Sequence, residues 1–148
     1  MVSKISEQEI FDMFTILSSL GVLSSKLAAQ IMTEETQKKF DEKIEELVKI
    51  EGESDEDFES KQIEMNFLLY KATKNDKLFQ ILSGLINYIH MSAKMGYEIP
   101  GRRKESLQEH IKIMKAVRNE EVEKAEKLTR IHIENSRRAY VNSMEKRT

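Results

Sequence analysis

Apolar residues recur every three or four positions along almost the whole chain, and that period predicts helix rather than strand. Ile10, Met13, Phe14, Leu17, Leu20, Leu23 and Leu27 mark a first helix, from a Ser6 cap to about Ile31. Glu7 and Glu9 in its first turn complement the positive end of the helix dipole. Gly21 interrupts this helix as a weak point that permits a bend or a close helix contact. Thr33, followed by Glu34 and Glu35, caps a second helix that ends near Glu51-Gly52. Its apolar residues Phe40, Ile44, Leu47 and Val48 form one narrow stripe, as a surface helix requires. Ser54 to Asp57 opens a third helix with a capping-box pattern. From Ile63 to Tyr70 it is apolar almost all round, which predicts the central helix. Asn75 caps a fourth that carries Leu78, Phe79, Leu82, Leu85, Ile86 and Ile89 and stops at Gly96. Pro100-Gly101 marks a loop. A fifth helix runs from about Arg103 to Arg118, and a sixth starts at Asn119, Glu120 and Glu121 and reaches about Met144. The expected fold is all-α, an antiparallel bundle of about six helices in one domain spanning residues 1–148.

Composition narrows the function classes. With 39% hydrophobic and 34% charged residues, five Gly and one Pro, the chain is neither collagen-like nor low-complexity. Its 24 basic and 26 acidic residues are mixed along the chain and leave a formal charge of −2, which provides no electrostatic footprint for nucleic acid. Without cysteine there is no disulfide framework, thiolate metal site or cysteine nucleophile, and a cytoplasmic setting is the expectation. The apolar stretch from Phe14 to Leu23 follows Glu7, Glu9 and Asp12, where a signal peptide would carry positive charge. No run is expected to approach a membrane span.

The informative residues are polar ones on apolar stripes. Leu107, His110, Ile111, Met114 and Val117 share one face of the fifth helix, so His110 points inward. In the sixth, Val122, Ala125, Leu128, Thr129, His132, Asn135, Ser136 and Ala139 lie on the inward side. In the third, Asn66 stands between Met65 and Phe67, with Gln62 one turn earlier on the same face. Buried polar groups need partners, and convergence on one internal pocket is the economical arrangement. Each histidine can equally be read as a core residue bonded to a backbone carbonyl. Spacing does not separate a metal from a ligand or water in such a cavity. His90, at the edge of its stripe, is given a structural or surface role. There is no Gly-rich phosphate loop, nucleophile elbow or His-Glu-x-x-His pair, and no catalytic residue is assigned. The Glu-x-x-His spacing of di-iron bundles is approached only by Glu109-His110, in the wrong register.

Three segments carry a family resemblance. They are Met65 to Asn75 (MNFLLYKATKN), Arg102 to Val117 (RRKESLQEHIKIMKAV) and Ala125 to His132. From about Phe58 to Arg138 the pattern resembles the FCD domain, the C-terminal effector-binding domain of the FadR subfamily of GntR-type transcription regulators. The Ser-Leu-x-Glu-His run is its most specific part, and Leu27-Ala28-Ala29 fits the start of the domain. The resemblance implies an all-α bundle enclosing a small-molecule pocket and working as a homodimer. Many members hold a divalent metal through an Asp and a His one turn apart on one helix and two His on later helices. The later pair matches His110 and His132, but the first pair falls on Gln62 and Asn66, which are poor transition-metal ligands. An Arg and a Glu that often serve organic acids in the first helix fall on Leu17 and Gly21. His110 and His132 thus remain as a partial ligand set for a weakly bound divalent ion such as Zn or Ni.

The leading expectation is an effector-binding and dimerisation domain. Its ligand pocket is built from Gln62, Asn66, His110, His132, Asn135, Leu17 and Gly21. It senses a small metabolite other than a metal-chelated acid. DNA would be reached only through an N-terminal winged helix, which needs roughly 60 to 70 residues upstream of the first helix. One rival is a metal-dependent helical-bundle enzyme with His110 and His132 as ligands and Glu109 as base. Another is a structural dimerisation module with a degenerate pocket.

Overall fold

The computed structural model describes residues 5–50 and 54–147 (backbone only at 55 and 56), and all its elements are helices. They are α1 (Glu7–Gln30), α2 (Glu34–Lys49), α3 (Asp55–Lys71), α4 (Asp76–Ser83), α5 (Ile86–Gly96), α6 (Arg102–Arg118) and α7 (Val122–Arg147). The expected caps form. Ser6 accepts from the Glu9 N–H and donates its own N–H to the Glu9 carboxylate, completing a capping box. Thr33, Ser54 and Asn75 each accept from the backbone N–H three residues on. The predicted stop at Glu51-Gly52 lies outside the described residues.

Among the described residues seven helices stand where about six were expected, because the fourth breaks at Gly84-Leu85. Glycine is a weak helix former, and the Leu85 N–H there bonds back only three residues, to Leu82. The break turns α5 so that Ile86, Ser92 and Gly96 are buried. The start expected at Asn119 is also corrected. Asn119 ends α6, and the N–H groups of Glu120 and Glu121 return to the carbonyls of Val117 and Ala116. This is a Schellman motif with Glu120 in the left-handed position at φ 59°.

The central helix is α1, which packs against α3, α4, α5, α6 and α7; α3, the expected centre, leaves Ile63, Phe67 and Leu68 half-buried. By length and a mean hydropathy of 1.3, α1 could also cross a membrane, contrary to the expectation that no run would. Here its apolar face (Ile10, Met13, Phe14, Leu17) belongs to the core. α7 lies antiparallel to α1. Tyr140 meets Phe11 and Phe14, and Thr129 meets Ser25 at the other end. Between them Gly21 makes the expected close contact: a Cβ there would stand 3.3 Å from Ile133 Cδ1 and 2.9 Å from Leu17 Cδ1. On α2, Phe40 and Leu47 are fully buried, whereas Val48 lies off the stripe and is 55% exposed.

Candidate functional site

Helical periodicity turns His110 of α6 and His132 of α7 inward, and the antiparallel α6–α7 hairpin brings their rings to a centroid separation of 4.2 Å. Two small chambers meet at this pair, each with about 60 Å³ of room for water centres. Leu17, Asn66, Ile89, His110, His132 and Ile133 border both. The first chamber adds the polar groups Gln62, His90, Tyr97, Arg102, Ser106 and Ser136. The second adds Gly21, Met65, Leu69 and Met114 and is the more apolar. At roughly 10–15 Å³ per water, each holds a few waters or a molecule of a few heavy atoms.

Of the residues singled out from sequence, Gln62, Asn66, His110, His132 and Leu17 converge on the first chamber, and Gly21 borders the second. Asn135 borders neither chamber. Its amide donates to Glu109 Oε2 at 2.8 Å. His90, expected to be structural or on the surface, borders the first chamber and pairs its Nε2 with Glu59 at 3.4 Å.

His110 is held by an uncharged chain. The Tyr97 hydroxyl donates to Gln62 Oε1 at 2.7 Å, and Gln62 Nε2 stands 3.2 Å from His110 Nδ1. Ser106 Oγ lies 3.5 Å from the same phenol. Burial, with the Arg102 guanidinium adding to it, pushes the His110 pKa well below the usual imidazole range. The ring is therefore neutral at neutral pH.

His132 is held by charge. Its Nδ1 lies 2.6 Å from Glu109 Oε1. Arg102, only 6% exposed, closes on the same carboxylate with Nη2 at 2.9 Å from Oε1 and Nη1 at 3.1 Å from Oε2. It also donates to Glu105 and Ser136. Burial works to raise the Glu109 pKa, but hydrogen bonds from His132, Arg102 and Asn135 outweigh it and hold the carboxyl at about 2. Arg102 and the hold of Glu109 on His132 escaped the sequence reading. Their signal was present as acidic residues three and seven positions after Arg102, on one side of a helix. Tyr97 sits just past the end of α5, where periodicity carries no information.

A divalent metal does not fit this site. Gln62 is committed to Tyr97 and His110, Glu109 is committed to Arg102 and His132, and His110 Nδ1 already has a partner. Among the described residues no group of three or more His, Asp or Glu side chains could hold an ion. Two imidazoles beside neutral amides lack the charge and donor number of a transition-metal centre.

A family model described as FCD domain matches residues 12–135. No curated protein matches the chain.

Proposed function

The chain belongs to the FCD-domain family, the effector-binding part of GntR-type transcription regulators, and from that premise we propose that its paired chambers bind a small metabolite directly, without a metal. The convergence of His110, His132, Gln62 and Asn66 on one interior space carries this reading, since a few polar groups set in an otherwise apolar wall are what orients a small ligand. An effector there would touch α1, α3, α5, α6 and α7 at once, so occupancy would bias their packing. In this reading the domain works as a non-catalytic cytoplasmic homodimer and passes that bias to a DNA-binding partner domain.

A thermal-shift and NMR titration against a library of small metabolites tests it. At least one compound should raise the melting temperature and perturb His110 and His132. A library that moves neither in the wild type, when the same conditions detect a control ligand, sinks the proposal. Protein purified without a His tag should carry no stoichiometric Zn or Ni; stoichiometric metal lost on His110→Ala would refute direct binding.

The enzyme reading is disfavoured by Glu109. A carboxylate held at about pKa 2 with both oxygens occupied is a weak proton acceptor at neutral pH.

A further inference from the structure

The two histidines have their protons fixed from opposite sides. At His132, Nδ1 faces the Glu109 carboxylate, which is ionised against Arg102 and can only accept. The proton therefore sits on Nδ1, and in the neutral ring Nε2 keeps a lone pair. At His110 the logic reverses. The Tyr97 O–H donates to the Gln62 carbonyl oxygen, so the amide nitrogen faces His110 Nδ1. An amide nitrogen can only donate, so Nδ1 must accept, and the single ring proton sits on Nε2. Each Nδ1 is taken by the protein, which leaves the two Nε2 atoms to the space that the rings border.

We propose that the His110–His132 pair is a matched donor and acceptor that recognises a neutral carboxamide-type group, its C=O taken by His110 Nε2–H and its N–H by His132 Nε2. This rests on the effector-binding reading and specifies the ligand class for it. Other ligand classes each leave one ring opposed. A carboxylate offers only acceptors, so one oxygen would face the His132 lone pair. It would also lack a counter-ion, because Arg102 is already closed on Glu109. An ammonium offers only donors and would meet the N–H of His110. A metal needs two lone pairs, and His110 presents none. Beside the pair, Leu17, Ile86, Ile89 and Ile133 provide an apolar wall for a short alkyl or lactam carbon chain. The small chambers limit that chain to a few atoms.

The test is long-range ¹H–¹⁵N correlation of the imidazoles at about pH 8, where free histidine is neutral, followed by titration with propionamide, sodium propionate and zinc chloride. The spectra should show His110 protonated on Nε2 and His132 on Nδ1. Propionamide should shift both rings, and propionate and zinc should not. In Gln62→Glu an acceptor-only group faces His110 Nδ1, so the His110 tautomer should invert and propionamide should bind about tenfold more weakly. Should that variant fail to fold, the wild-type tautomers and the ranking of the probes still decide. A lone pair on both Nε2 atoms, or tighter binding of propionate or zinc than of propionamide, would overturn the ligand class while leaving a functioning effector pocket. Silence of both rings toward all three probes, together with a silent metabolite library, would remove the pocket's binding role altogether.

Discussion

One helix, α7, makes two seams of opposite character. Toward α1 it is almost dry: Thr129 meets Ser25 at 2.7 Å, Ile133 packs over Gly21, and Tyr140 meets Phe11 edge-on and Phe14 at a tilt. Toward α6 the same helix sends His132, Asn135 and Ser136 into a cluster around Arg102 and Glu109. The dry seam stabilises by burial and close approach, at little cost in desolvated charge. The ionic seam takes a guanidinium and a carboxylate out of water, which a well-packed apolar contact would achieve with less penalty. Its return is orientation: it holds His132 with one nitrogen committed and the other presented to the chambers. The ionic seam borders the polar first chamber through Arg102, His132 and Ser136, whereas the dry seam borders the more apolar second one through Gly21, Thr129 and Ile133, so the two seams give the cavity walls of opposite character.

The largest effect should come from breaking the ionic seam on one side only. Glu109→Ala takes the two-point carboxylate from the buried Arg102, leaving it Glu105 and Ser136, and should cost about 3 kcal/mol in urea denaturation. Joint replacement by Arg102→Met and Glu109→Leu should recover most of that stability and still lose ligand response. If the double variant is as unstable as the single one, the ion pair is structural and the contrast between the seams fails.

Acid separates the ionic seam from the uncharged chain around His110. A carboxyl held at about 2 contributes stability that is complete above the ordinary glutamate range, near 4.5, and is lost as the pH falls toward 2. His110 acts higher. Its folded pKa is lowered, so the unfolded chain takes up a proton below about 6.5 that the folded protein refuses, and stability declines from there downward. Stability against pH should therefore fall in two limbs. His110→Gln should flatten the upper one and Glu109→Gln the lower, as read by chemical denaturation across the range.

The dry seam should respond more mildly. Ser25→Ala leaves the buried Thr129 hydroxyl without its partner and should cost about 1–2 kcal/mol, whereas Ser25→Ala with Thr129→Val should cost less than the single change. Neither should alter the chemical shifts of His132. The smallest effect belongs to the joint shared by α6 and α7. Glu120 holds a left-handed backbone that glycine adopts freely, so Glu120→Gly should stabilise the protein by about 1 kcal/mol. A loss of stability there would mean that the Glu120 side chain matters more than its backbone strain.

Much of this could be read from the sequence, and for a local reason. Caps at Ser6, Thr33, Ser54 and Asn75 and the inward turn of His110 and His132 depend on spacing within a single helix. The neutral amides of Gln62 and Asn66 on the inward side of α3 are legible from the same spacing. What escaped lies between helices or at their ends. The break at Gly84-Leu85 depended on how α5 had to turn to bury Gly96 against Ala139. The grip of Arg102 on Glu109, and of Glu109 on His132, joins groups whose surroundings are set by the α6–α7 crossing. Tyr97 reaches Gln62 across 35 residues from a position that carries no period. The sequence by itself determined a helical bundle with two imidazoles inside it, because periodicity and capping act over a few residues. Only the tertiary structure decided which nitrogen of each ring is free, because a proton is placed by its hydrogen-bond partners, and those arrive on other helices.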